Sequence, residues 1–239
     1  MAGHSHWAGI KHKKGRQDKI RSKIFSKISR EIMVAAKIGS KDPDTNHRLR
    51  AAIESAKEAN MPKENIKRAI NKSDVDKNKK FENLRYEGFG PKNIAVIIEA
   101  LTDNKNRTAA NIRTILQKFG GNLGGHGTAT HFFEICGVIQ INREDISEEK
   151  VLDFAASADA KDCVSNKNFH EIITEKEKFY KVKNLVKKLN CKFFYSAIEW
   201  RPRDLLSLDK EYMLKIDNML EILHDDDDVQ KVFHNCKLV

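Results

Sequence analysis

The sequence of 239 residues holds only four cysteines and four prolines. Cys136, Cys163, Cys191 and Cys236 stand far apart, with no Cys-x-x-Cys pair. That spacing argues against a zinc ribbon or a dense disulfide framework and reads as reduced thiols of a cytoplasmic protein. No apolar run approaches the roughly 18 residues a membrane helix needs. Residues 1–17 lack the apolar core of a secretory signal. No membrane partner is therefore expected. The common catalytic signatures are also missing: there is no Gly-x-Ser-x-Gly, no His-Glu-x-x-His and no dinucleotide-binding fingerprint. The expectation is a protein that is not an enzyme, with no cofactor, no metal and no small-molecule substrate.

Positive charge is what the sequence has in excess. The net charge is +10. Residues 1–80 hold 21 Lys and Arg against 9 Asp and Glu, while the rest of the chain holds 23 against 25. A basic block confined to one end is the footprint of phosphate-backbone binding. The expected partner is nucleic acid, either promoter DNA or ribosomal RNA on the ribosome, and the chain is expected to be a monomer.

Apolar spacing divides the chain. Residues 1–17 show no period and read as a flexible basic arm. From Asp18, Ile20, Ile24, Ile28, Ile32 and Ala36 step by four, which predicts a helix ending near Gly39. Leu49, Ala52, Ile53 and Ala56 predict a second helix. Pro62 starts a third, with Ile66, Ala69 and Ile70 inward. Residues 73–80 read as a linker. Beyond them strands are predicted at 84–89, 94–101 and 128–134, with a helix over 106–118. A β-α-β-β-α-β series then spans 138–200, the ferredoxin-like order. A helix over 209–223 and a strand over 229–234 lack partners of their own. The expected fold is α+β: a three-helix bundle over 1–80, then two ferredoxin-like α/β sandwiches. The first sandwich is discontinuous (81–135 and 203–239), and the second is inserted into it (136–202).

Candidate contacts follow from charge spacing. Lys11, Lys13, Lys14, Arg16, Lys19, Arg21, Lys23, Lys27 and Arg30 face only Asp18 among acids in residues 1–30. Lys19, Lys23, Lys27 and Arg30 fall along one side of the first helix, so a repeating cationic edge can neutralise successive phosphates. Arg48 and Arg50 join them. Trp7, His4 and His6 can add stacking on unpaired bases. Asn106, Arg107 and Thr108 open a helix and form a possible anion contact; ordinary helix capping explains them equally well. The glycine-rich FGGNLGGHG (119–127) has no strand before it and no helix after it, so it reads as a turn needing positive φ, not a phosphate cradle. His4, His6 and His12, or His126, His131 and Cys136, lack established ligand spacing. Asp225–Asp228 reads as an exposed acidic turn. No sharp turn or polar recognition helix marks a helix-turn-helix.

The stretches MAGHSHWAGIKHKKGRQDKIRSKIFSKISREI (1–32), DPDTNHRLRAAIESAKEANMPKENIKRAI (42–70), YEGFGP (86–91), LTDNKNRTAANIR (101–113), GGNLG (120–124) and DDVQKVFHN (227–235) resemble the YebC family. Family members include bacterial proteins described as transcriptional regulators and a mitochondrial translational activator of cytochrome oxidase. The resemblance implies a helical N-terminal domain and two α/β domains, one discontinuous. It implies either DNA-binding transcriptional regulation or a ribosome-associated factor relieving stalled translation. A plain protein-interaction module with a basic tail is the third option. The loop at 124–131 and residues 157–168 depart from the family pattern.

Overall fold

The isoleucine stripe folds as expected in a computed structural model, which describes residues 14–74, 80–191 and 193–237. Helix α1 (Lys14–Ile38) starts earlier than Asp18, so the described end of the segment read as a flexible arm is helical. Lysine, arginine and glutamine are good helix formers, which favours that extra turn. Helices α2 (His47–Glu58) and α3 (Lys63–Lys72) complete the helical region. Ile32, Ala35 and Ala36 of α1 pack with Leu49, Ala52 and Ala56 of α2 and with Ile66 and Ala69 of α3. A second face of α1 is also buried: Met33 and Val34 pack against Leu101 and Phe81. Asn46 ties the first two helices together. Its Oδ1 caps α2 by accepting from Leu49 N at 3.0 Å, and its Nδ2 donates to Ala35 O at 2.8 Å.

The chain divides into two compact units, Phe133–Arg201 and the described residues on either side of it. The outer unit contains the helices and a sheet of β1 (Glu82–Phe89), β2 (Ala95–Thr102), β3 (Asn122–Leu123) and β8 (Val229–His234), ordered β3-β1-β2-β8. All its pairs are antiparallel. Helices α4 (Lys105–Lys118) and α7 (Lys210–Asp225) cover one face. There Val96, Ile98, Ile112, Leu116, Met219, Leu220 and Val232 form the core. Both faces of β2 are buried, which is why its sequence reads as a nearly unbroken apolar run.

The inner unit runs β4 (Phe133–Asn142), α5 (Glu148–Ser157), β5 (Asp162–Ser165), β6 (Phe169–Glu175), α6 (Phe179–Lys187) and β7 (Phe193–Pro202). Its sheet order is β5-β6-β4-β7, the interleaving of the ferredoxin-like arrangement. The outer sheet has the same two-layer build, with a sequential hairpin at its centre. Ile139, Ile141, Val151, Ile172, Phe179, Val182 and Val186 fill the inner core. Glycine is required at Gly137 of β4, because a Cβ there would collide with Thr174 Oγ1 and the Phe179 side chain.

One strand differs from expectation. Residues 128–132 are not extended; they form turns and a short 3-10 helix (Thr130–Phe132), and the third strand of the outer sheet is Asn122–Leu123. The reason is a carboxylate: Glu87 Oε2 accepts from Ala129 N and Thr130 N, each at 2.9 Å. A side chain thereby satisfies donors that a neighbouring strand would otherwise take.

Candidate nucleic-acid interface

The cationic edge of α1 does not simply face solvent. It meets the acidic turn after α7. Lys23 pairs with Asp225, and Arg30 Nη1 donates to Asp228 Oδ1 at 2.8 Å. Lys27 Nζ is buried between them, with no hydrogen-bond partner among the described residues. Burial, then the adjacent Lys23 charge, push its pKa down to about 8, against the opposing pull of Asp226, Asp225 and Asp227.

Asp228 is therefore not part of an exposed turn; its residue is 6% exposed. Its Oδ2 accepts from Arg107 Nη2 at 2.7 Å, Thr108 Oγ1 at 2.8 Å and Thr102 Oγ1 at 3.1 Å. Burial alone would raise this carboxyl pKa. The bonds from Arg107, Thr108, Arg30 and Thr102 outweigh it and hold the pKa below the usual value. The anion at the start of α4 is thus the chain's own carboxylate. Asn104 caps that helix through Arg107 N, and Asn106 is exposed.

Two other predicted contacts also have partners within the fold. Arg48 donates to both oxygens of Glu31, at 2.7 and 3.0 Å, and to Asn83. Arg50 donates to Pro43 O and Asp44 O. Arg21 is exposed, with its guanidinium 5.9 Å from the Phe25 ring centroid. Lys14, Arg16 and Lys19 lie on α1. Lys11, Lys13, Trp7, His4, His6 and His12 lie outside the described residues.

The helical region presents a second cationic face. Four residues connect α2 to α3, with Asn60 in the left-handed region at φ 57 and Pro62 as the N-cap. A tight turn is therefore present, contrary to the sequence reading. Helix α3 buries Ile66 and Ala69 and exposes Lys63, Lys67, Arg68 and Lys72. Glu64 lies 3.9 Å from Lys67 with both side chains largely exposed, so that pair holds little charge back.

The glycine-rich loop is built as a turn, with Gly120 and Gly127 at φ 80 and 88. Its anchor, Glu87, is 1% exposed. Burial pushes this carboxyl pKa up, but hydrogen bonding from the loop, with the Ala129 and Thr130 backbone amides on Oε2, prevails and holds it at about 2. Arg85 Nε stands 3.2 Å from Glu87 Oε1, and Arg85 Nη2 is 2.5 Å from His126 Nε2. His131 and Phe132 are exposed on the same loop, with ring centroids 4.0 Å apart.

Family models locate the chain. The TACO1/YebC protein N-terminal domain matches residues 5–76, and the TACO1/YebC second and third domain matches residues 81–236. The chain belongs to the TACO1/YebC family. A probable transcriptional regulatory protein of Pelagibacter ubique is 53% identical, over 98% of both chains. Another protein so named, from Zymomonas mobilis, is 45% identical over 98% of this chain and 94% of its own. The crystal structure of a conserved hypothetical protein from Aquifex aeolicus has a TM-score of 0.85 and 42% identity, covering 98% of each chain.

In this TACO1/YebC chain, sequence reasoning overlooked three features. The α3 cations were legible: Lys63, Lys67, Arg68 and Lys72 recur at helical spacing opposite Ile66 and Ala69. Asp228 was not, because nothing in a run of four aspartates marks which one folds inward. Glu87 was not either, since its partners lie some forty residues away. Among the described residues no helix is long and apolar enough to cross a membrane.

Proposed function

We propose that this protein is a non-enzymatic regulator of gene expression that grips the nucleic-acid backbone through its N-terminal helical region. One observation carries the reading: Lys63, Lys67, Arg68 and Lys72 share the exposed face of α3, while the opposite face is buried in the helical core. A rigid helix with cations in register can neutralise several phosphates without ordering loose side-chain supports. Lys11, Lys13, Lys14, Arg16, Lys19 and Arg21 extend the cationic set in sequence. Lys23, Arg30, Arg48 and Arg50 serve mainly to hold the helical region in place, and Lys27 Nζ is buried. The names of the relatives from Pelagibacter and Zymomonas support promoter DNA as the target.

A second reading, a ribosome-associated translation factor, is favoured by the exposed His131 and Phe132 on the loop that Glu87 ties to Arg85. Exposed aromatic rings suit unpaired RNA better than a duplex groove. Sedimentation with ribosomes across a salt series, with crosslinking of what stays bound, separates the two. Recovery of ribosomal RNA supports translation; a reproducible promoter footprint by free protein supports transcription. For the shared claim, Lys67→Glu with Arg68→Glu, and separately Lys13→Glu with Lys14→Glu, should weaken duplex binding. Each should flatten the salt slope by about 0.9 per lost contact. Unchanged affinity and slope in both would overturn the proposal.

A further inference from the structure

We infer that the exposed rings of His131 and Phe132, on the loop that the Glu87 carboxylate ties to Arg85, form a stacking site for an unpaired nucleobase and its adjoining phosphate. The inference rests on the nucleic-acid reading above and names a second, single-strand-specific contact within it. Phe132 is 37% exposed, and its ring sits beside that of His131 with planes tilted by 38°. Phe89 supports Phe132 edge-on at 6.1 Å, so the outward ring is backed by a strand residue.

The platform is fixed before any ligand arrives. Glu87, buried beneath it, holds the backbone of Ala129 and Thr130 through one oxygen. Gly124 N bonds Glu87 O at 2.8 Å, and Thr128 Oγ1 bonds Gly125 O at 2.6 Å. A preformed loop spares the ordering cost that a mobile aromatic would incur. The same Glu87 carboxylate sets the position of the cationic group. Its other oxygen lies 3.2 Å from Arg85 Nε, so a single carboxylate separates the guanidinium from the backbone leading into the two rings. A planar guanidinium there can share a hydrogen bond with a phosphate oxygen while keeping Glu87. His126 Nε2 lies 2.5 Å from the Nη2 of that guanidinium. Base–aromatic stacking needs a ring face and tolerates any base, whereas a duplex hides its base faces. The expected ligand is therefore single-stranded.

The test uses the full chain, with fluorescence anisotropy against a labelled oligouridylate and a DNA duplex. Phe132→Ala and His131→Ala should each weaken oligouridylate binding by roughly tenfold and leave duplex affinity unchanged. A strand carrying 2-aminopurine should be quenched on binding the parent protein and less so by either variant. Phe132→Leu, which keeps an apolar side chain against Phe89, should lose the quench too, and circular dichroism of all three variants should match the parent. Unchanged oligouridylate affinity and quenching in the variants, with Lys67→Glu and Arg68→Glu still weakening binding, would overturn the stacking site and leave the nucleic-acid reading standing. Failure of the parent to bind either probe would overturn both.

Discussion

Replacing Asp228 by asparagine keeps the shape of the side chain and removes its charge at the point where α1, β2, α4 and the turn before β8 meet. Four side-chain donors then face a group that presents an amide in place of one carboxylate oxygen. The Arg30 bond is the largest loss: its side chain is 25% exposed, and a hydrogen bond to a charged group is worth about 1.5–3 kcal/mol. Arg107 is 48% exposed and keeps Asp103 at 2.9 Å, so its share is about 0–1 kcal/mol. The expected cost is about 3 kcal/mol, at the low end for breaking a buried pair. Urea denaturation would measure it. Hydrogen exchange would locate it, with protection lost over residues 21–38 and kept over β4, α5 and β6. The pH dependence has a definite sign. The folded pKa of Asp228 lies below its unfolded value, near 4 for an aspartate. Its stabilisation is therefore present above that unfolded value and fades as pH falls through the folded one. The asparagine variant should lack that component of acid sensitivity. A loss below about 1 kcal/mol with unchanged exchange over α1 would refute the view that Asp228 pins the helices.

Two further substitutions test other joints. Lys27→Met should stabilise the protein by about 1–3 kcal/mol at neutral pH, since a lowered lysine pKa marks a charge that burial disfavours. In the parent, the unfolded chain binds the more protons between about pH 8 and 10.5, so Lys27 makes stability rise with pH there. Urea midpoints at neutral and alkaline pH should show the variant lacking that rise; a variant less stable than the parent would count against the argument. Gly137→Ala should destabilise the inner unit by about 1–3 kcal/mol, because the added methyl meets Thr174 and Phe179 with no room to yield. Fluorescence of Trp200, buried in β7, should report the shift, and unchanged unfolding would refute it.

Periodicity was enough to expose the helices and most strands. The four-residue step from Ile20 to Ala36 predicted α1, and the run at 94–101 predicted a strand buried on both faces. The stretch at 128–134 was misread because Thr128, Thr130 and Phe132 have strand-like composition. Glu87, some forty residues earlier, captures the amides that a strand would have shared. Helix α3 is legible in the sequence as a helix, but its four cations are sparser than the lysines and arginines of residues 11–30 and stand out as a face once Ile66 and Ala69 are seen to be buried.

By itself, then, the sequence determined the order of elements and the confinement of positive charge to one end, since both depend on which residues are near neighbours in the chain. It also carried the family resemblance, spread over motifs from residue 1 to residue 235. Tertiary structure alone decided which charges are spent inside the fold. Lys23, Arg30 and Arg107 look like equal candidates for phosphate until Asp225 and Asp228, about two hundred residues from the first two, are brought against them. A cation's role depends on the carboxylate within hydrogen-bonding distance, and that distance is set by packing, not by spacing along the chain.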